Sequence, residues 1–591
     1  MTGRALLALV AMAMVAAAPA EAAVFTNTDE VRACLPLPGG DALVGTTGGL
    51  VRVDAGGAAR RAWTASDGLP GTRIDAVVAD GDRAWIGSDG GVAELALAPD
   101  AAGDRVVRAL ATRPVRDIAR RGDATYLATW DGGVIELGGG AIAMRGGPAA
   151  ARMRVSALAV SGGALWAGTA AGLYRMRSGR TGGLDRVSGG PAEVTALLAR
   201  GDSLWIGASD GLWLRDSAGL RALGGGEVRH LAVVDGAVVA AGPEGLVTVD
   251  RGRVVALPGA PAGFAQAIAA AHGAACTGGL DGLWLRTGGA WRHAERAAGP
   301  PSSDISAVVA DGARLWVGTF DQGLASYDSA HGWRRVAGTD ARINALVVDH
   351  SPGPGAAGAR LWVATAEGIQ VVDAAGAVVL RLGRNDGLPS RSVLSIVRLA
   401  DGQIVAGTSA GAAYVTGGIV RRVGPRGLGD RPIGNVWAIA QTSAGLWLGT
   451  TTGLYRGPAT AWTSKDGADD PDATAERWQR LSVATGHLRD DWVTALATRG
   501  DAVYAGTYNG GIARIAGDTA TALGGGWVNP SGLMWDGDRL LAATMDGLLT
   551  GDGQTATWTA APALPGRDVT AAVRTGGTLW VATRRGLVSI R

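Results

Sequence analysis

The chain has 591 residues, 96 of them glycine, and a formal net charge of +2 that is not gathered into blocks of one sign. That length exceeds one ordinary domain, and the glycine content suits a turn-dense β protein. The basic residues are arginines spread along the chain, with Lys465 the one lysine, which excludes a basic stripe for nucleic acid.

At the N-terminus Arg4 precedes an apolar run over residues 5–18, and small residues follow at Ala18-Pro19-Ala20 and Ala20-Glu21-Ala22. This pattern predicts a signal peptide over 1–22 and a periplasmic or secreted mature chain. The run is short for a membrane span, and no later stretch of about 18 apolar residues follows, so no span is expected once the signal is removed.

From there one phrase recurs fourteen times. It reads LWAGTAAGLYRM at 165–176, SLWIGASDGLWLR at 203–215, LWVGTFDQGLASYD at 315–328, LWLGTTTGLYRG at 446–457 and LWVATRRGLVSI at 579–590, with weaker copies between. Its turn glycines are Gly49, Gly91, Gly133, Gly172, Gly211, Gly245, Gly282, Gly323, Gly368, Gly411, Gly453, Gly511, Gly547 and Gly586. Their mean spacing of about 41 residues falls in the range of propeller and solenoid repeats. Each unit opens on a short apolar segment such as IDAVVAD at 74–80, turns, runs through the tryptophan-bearing segment, and turns again into a third; a looser stretch such as RRAWTASDGLPG at 60–71 ends it. Short Val-, Leu-, Ile- and Trp-rich segments punctuated by Asp-Gly pairs read as strands and hairpins, and no helical period competes. One such sheet cannot bury both faces, whereas radially arranged sheets can. The predicted fold is all-β: two tandem seven-bladed β-propellers of four-stranded antiparallel blades. Propeller 1 is placed at 23–298 and propeller 2 at 299–591, with the break near AAGPPSSD at 297–304. The chain ends on a third strand, so a fourth must come from elsewhere; VFTNT at 24–28 is assigned to the first ring and AWRHAE at 290–295 to the second.

An apolar stripe runs through the second strands as Leu43, Trp85, Tyr126, Trp166, Trp205, Val239, Cys276, Trp316, Trp362, Val405, Trp447, Tyr504, Leu541 and Trp580. Its regularity predicts packing between blades in preference to a sugar-binding platform. Cys34 and Cys276 fall in the first and seventh repeats, neighbours across the closure of ring 1. Both sit at core positions, which favours two buried thiols, while export permits a Cys34–Cys276 disulfide. Two insertions stand out, SPGPGAAG at 351–358 and residues 457–490; the second carries Asp466, Asp469, Asp470 and Asp472, whose spacing is not that of an EF-hand and which read as a solvated acidic loop.

No catalytic constellation emerges. GASDG at 207–211 and GTSAG at 407–411 match a nucleophile elbow, but both are the repeat's strand-to-strand hairpin, and sister copies replace the serine. His230, His272, His293, His331, His350 and His487 share no metal-ligand spacing. No catalytic residue, metal or cofactor is expected. Propellers bind ligands where the innermost strands begin, and the residue before each can be read from the repeat. Ring 1 gives Glu30, Arg73, Pro114, Arg154, Glu193, Glu227 and Phe264; ring 2 gives Asp304, Arg342, Ser392, Asn435, Trp492, Asn529 and Asp568. Unlike the stripe, these positions mix charge, amide and aromatic, as a specific rim does, although unconstrained loop edges vary too. Ring 2 is the better candidate: Trp492 offers an aromatic face, and Asn435, Asn529, Asp304 and Asp568 offer partners for hydroxyls.

The phrase V-x-A-[LVI]…D-G-x-L-W-[VIL]-G-T-x-x-G-L-x-R, preceded by Asp67-Gly68-Leu69-Pro70 and Asp386-Gly387-Leu388-Pro389, resembles the two-component regulator propeller repeat. That family builds the periplasmic sensor region of hybrid two-component systems, usually as two seven-bladed propellers, and fourteen copies match two sets of seven. Its sensors continue into a β-sandwich, a membrane helix and a histidine kinase, whereas this sequence ends at Arg591. The resemblance therefore implies an exported non-catalytic binding or sensing protein acting with a separate membrane signalling protein. A glycan fragment or a partner protein is the expected ligand. The competing expectation is a secreted propeller enzyme, a polysaccharide lyase or glycosidase.

Overall fold

A computed structural model describes residues 22–138, 141–145, 152–176, 183–294, 299–351, 359–416, 418–423, 433–458, 478–561 and 564–591. The described strands form fourteen antiparallel sheets of four strands, thirteen of them simple meanders. The only helical elements among the described residues are short 3₁₀ turns such as Ala65–Asp67 and Arg384–Asp386.

The core shows how the sheets associate. Among the described residues lie fourteen apolar clusters, and twelve of them join one sheet to the next in sequence. The other two close circles. Val31, Cys34 and Val44 of blade 1 pack with Ala267, Cys276 and Leu285 of blade 7. Ile305 and Leu315 of blade 8 pack with Trp580 and Leu587 of blade 14. The result is two rings of seven blades. The first strands of neighbouring blades approach each other around each ring and line its centre.

The recurring phrase has a physical reason at each letter. Thirteen of the stripe residues are buried and Trp205 is half-buried; each buried one packs against the following blade, as Trp316 of blade 8 does with Ile343 and Val363 of blade 9. The glycine two residues later allows that approach. A Cβ on Gly318 would stand 2.6 Å from Ile343 Cγ2, and one on Gly278 would stand 2.7 Å from Val31 Cβ. The threonine clasps the hairpin: Thr450 Oγ1 accepts from Thr452 N–H at 3.0 Å and donates to Gly453 O at 2.8 Å. Gly453, at φ 129°, takes a conformation open to few other residues. The Asp-Gly-Leu-Pro element caps its 3₁₀ turn, with Asp386 Oδ2 accepting from Gly383 N–H at 2.8 Å and Leu388 inserted between blades 9 and 10.

The expected closure is corrected. Ala22–Phe25 pairs with Gly586–Ile590 and is the outer strand of blade 14, in ring 2. Ala290–His293 stays with its own blade 7 in ring 1. Residues 23–25, placed by sequence in the first propeller, and Ala22, placed at the end of the signal peptide, therefore belong to the second ring. The reason is the aromatic seam between blades 14 and 8. Phe25 sits 5.3 Å from Tyr327, 5.4 Å from Trp580 and 6.1 Å from Trp333, ring to ring. The chain then crosses to ring 1 through buried Asn27, whose N–H donates to Ser303 Oγ at 2.8 Å and whose side-chain amide donates to Pro301 O.

Ring 1 has no such borrowed strand. Across its closure Cys34 and Cys276 are joined as a disulfide, Cα to Cα 6.2 Å, in place of the two free thiols that were favoured. The signal segment up to residue 21, most of the loop at 351–358, and Asp466, Asp469, Asp470 and Asp472 lie outside the described residues. No described helix is long and apolar enough to cross a membrane.

Candidate functional site

Rim residues and hairpin turns share one face of each ring because the backbone ties them together. The carbonyls of Asp304, Ser392, Trp492 and Asp568 accept from the N–H of Phe320, Ser409, Tyr508 and Arg584, the first turn residues of their blades, at 2.9–3.0 Å. Just past each rim residue comes a bulge. In eleven blades the second residue of the innermost strand is the extra one, and those in ring 2 include Asn344, Trp437 and Thr494. A bulge re-aims a side chain. Around ring 2 such residues bridge to the next blade: Asn344 donates to Val393 O at 2.7 Å, Thr494 to Val528 O at 2.6 Å and Thr570 to Ile305 O at 2.9 Å. The rim therefore stands on a hydrogen-bonded collar.

The seven ring 2 residues expected to form a site separate into groups. Asp304, Asn529 and Asp568 come together through Arg584. Its guanidinium contacts Asp304 at 3.0 Å and Asp568 at 3.6 Å, and Asn529 Nδ2 donates to Asp568 Oδ1 at 2.7 Å. Burial pushes the Asp304 carboxyl above the usual carboxylate range; Arg584 opposes this, while Asp321 and Asp568 reinforce it. Arg342 joins this group through the Phe320 ring, which it shares with Arg584 at 5.9 and 3.5 Å respectively. Ser392 is held by its backbone, its N–H donating to Ser390 Oγ at 3.2 Å. Asn435 is half-buried on the same rim, and no contact joins it to Asp304, Asn529 or Asp568 among the described residues.

Trp492 heads a second group that the repeat did not reveal. It stacks on Tyr508 at 4.4 Å and 17°, with Trp437 of the collar at 6.0 Å. Tyr508 in turn stacks on Trp527 at 5.4 Å and 16°, and Trp527 Nε1 donates to Asn509 Oδ1 at 2.5 Å. Half-buried within this ladder, Trp492 is a support; the faces open to solvent are those of Tyr508 and Trp527, 38% and 43% exposed. Tyr508, Phe320 and Trp130 all occupy the first turn residue after the threonine, so an aromatic at that position was the available signal. Trp527 precedes the innermost strand Val528–Asp536 of blade 13 and holds the rim position expected of Asn529; Asn529 is that strand's second residue and, like the collar residues, donates to the next blade, at Val569 O, 2.7 Å, so the aromatic and polar groups meet here. Together they offer flat apolar faces beside amides, carboxylates and a guanidinium, a chemistry suited to a polyhydroxylated ring.

Both serines of the elbow-like phrases lie in strand-to-strand hairpins, where Ser409 Oγ bonds Ser390 Oγ at 2.7 Å. No protein-family model matches the chain. No curated protein matches it either. Solved structures do. PorZ of Porphyromonas gingivalis, an essential surface component of the type-IX secretion system, aligns with a TM-score of 0.68 at 16% identity over 96% of this chain and 86% of its own. The GH74 xyloglucanase of Xanthomonas campestris aligns with a TM-score of 0.62 at 15% identity over 97% and 100%. The extracellular domain of a putative hybrid two component system from B. thetaiotaomicron aligns with a TM-score of 0.37 at 17% identity over 96% and 82%. At these identities the likeness to the first two is one of fold.

Proposed function

We propose that this chain is an exported, non-catalytic binding or sensing protein whose second ring holds a glycan fragment. One observation carries the reading: the ladder Trp437–Trp492–Tyr508–Trp527 presents its exposed end beside Asn529, Asp568 and Arg584 on a single rim. Stacking serves the apolar face of a sugar, and the amide and carboxylates serve its hydroxyls. Export is supported by the leader-like residues 1–22 and by the Cys34–Cys276 pairing, which an oxidising compartment favours. A protein ligand, or a separate membrane signalling protein as partner, fits the same rim, and the fold alone does not choose, since it carries unlike functions. The test is an oligosaccharide screen with the full mature chain, followed by titration against Trp527→Ala. Saccharide binding that weakens roughly tenfold or more in the variant is expected; peptide binding without saccharide binding would shift the assignment to a protein ligand.

A second reading rests on Asp304. A carboxyl raised by burial next to a second carboxylate, Asp568, is the arrangement glycoside hydrolysis uses for its acid and its base. It predicts shortened oligosaccharides on prolonged incubation and none with Asp304→Asn.

A further inference from the structure

The first ring carries a charge arrangement that neither the fold nor the ring 2 site explains. Three consecutive blades send arginines onto one buried carboxylate. Arg32 Nε reaches Asp75 Oδ1 at 2.5 Å, and Arg73 Nε and Arg116 Nη1 reach Asp75 Oδ2 at 3.2 and 3.1 Å. The Asp75 side chain is 3% exposed. A fourth guanidinium, on exposed Arg154, joins the row through Trp130: Arg154 and Arg116 lie 5.0 and 4.6 Å from its ring centre.

Cations exceed anions here. Arg32 also meets Glu30 at 3.3 Å, so Asp75 and Glu30 face Arg32, Arg73, Arg116 and Arg154. Arg116 Nε is buried with no acceptor. Burial holds the Arg116 guanidinium below its ordinary range; attraction to Asp75 opposes this, and repulsion from Arg73 and Arg32 adds to it. This network leaves Arg116 Nε without an acceptor and Arg154 exposed beside it at Trp130. Trp130, 39% exposed, fixes both of these side chains and offers apolar surface next to them.

We propose that ring 1 holds a second site, for an acidic saccharide, whose carboxylate or sulfate group is clamped by Arg73, Arg116 and Arg154 beside Trp130. Guanidinium forks match planar or tetrahedral oxyanions through paired N–H bonds, and the sugar ring meets the exposed edge of Trp130. The site does not depend on the reading of ring 2.

The experiment is calorimetric titration of the full mature chain with a glucuronate-containing disaccharide, a sulfated disaccharide and a neutral disaccharide, repeated with Arg73→Ala, Arg154→Ala and Trp527→Ala. Asp75 keeps Arg32 and Arg116 in both arginine variants, so the fold is retained, and thermal melting checks this. One acidic disaccharide should bind at least tenfold more tightly than the neutral one, weaken as salt rises, and lose roughly tenfold or more in affinity with Arg73→Ala and with Arg154→Ala. Which disaccharide binds identifies the oxyanion. Trp527→Ala should leave this binding unchanged. The proposal fails if neither acidic disaccharide binds, if both arginine variants bind as the native chain does, or if Trp527→Ala abolishes the binding.

Discussion

Asp117 stands where most blades carry alanine. At the third position of the innermost strand the sequence places Ala33, Ala76, Ala157, Ala196, Ala307, Ala345, Ala438, Ala495 and Ala571, and a small residue is what the approach of the next blade allows. The Asp117 carboxylate is half-buried there, accepting from Leu158 N–H at 2.7 Å and Ile118 N–H at 2.8 Å. Burial pushes it up to about 6, against 3.8 in an unfolded chain, and the two N–H bonds only moderate the rise. A raised value means that the fold favours the protonated form. The stability this contributes is complete below the unfolded value and is lost as pH rises through about 6, a difference of about 3 kcal/mol. Asp117→Asn, neutral at every pH, should therefore gain in melting temperature relative to the native chain between pH 4 and 7; a constant gap across that range would show the carboxyl to be unperturbed. The aromatic residues sort in a similar way. Trp316 is 3% exposed between blades, and Trp316→Ala should destabilise ring 2 by about 3–5 kcal/mol, whereas Trp527→Ala, at an exposed rim, should leave melting nearly unchanged and act on binding. Denaturant unfolding of both variants separates the two roles. The stripe containing Trp316 was legible because it repeats in register. Tyr508 and Trp527 were not, because their stacking joins a turn to an inter-blade link, and neither position has a fixed residue type.

At the scale of the strand, fold class and blade count followed from the spacing of the turn glycines, all fourteen of which adopt positive φ. The closing strand did not follow. VFTNT and AWRHAE are both short apolar-polar segments beside an open edge, and sequence distance favoured giving the first to ring 1. Packing decides otherwise. Phe25 fills the seam between blades 14 and 8 against Tyr327, Trp333 and Trp580, a contact no local pattern encodes. The consequence is a ring held shut by the opposite end of the chain. Phe25→Ala should lower the stability of ring 2 by about 2–4 kcal/mol, and removal of residues 22–25 by more, since it also exposes the edge of Gly586–Ile590. Ring 1, although adjacent in sequence, should be unaffected. Limited proteolysis of the truncated chain tests this: early cuts within residues 305–590 are expected, and early cuts confined to 31–294 would contradict the assignment.

The whole molecule thus closes its two rings by different devices. Ring 1 meets itself at the core of Val31, Val44, Ala267 and Leu285, reinforced by the Cys34–Cys276 bond across a separation of 242 residues. Ring 2 uses the borrowed strand. Among the described residues the side-chain contacts between the rings are polar and include Arg585 to Asp89 at 3.0 Å, Arg335 to Asp29 at 3.8 Å, Thr72 Oγ1 to Pro565 O at 3.4 Å, and the Asn27–Ser303 bond. An interface of this kind couples two units weakly, so the rings should unfold as distinguishable transitions. Each closing device should then act on its own ring. Cys34→Ala with Cys276→Ala frees the ends of a long loop in the unfolded chain and should cost ring 1 about 2–5 kcal/mol, while the transition of ring 2 stays in place. Deletion of residues 22–25 should do the reverse. Differential scanning calorimetry of the native chain, the cysteine double variant and the truncated chain decides the matter, with proteolysis assigning each transition to its ring. Two transitions that move independently are expected. If both changes lower both transitions together, the junction at Asn27 transmits stability between the rings, and the molecule folds as one unit in spite of its two circular cores.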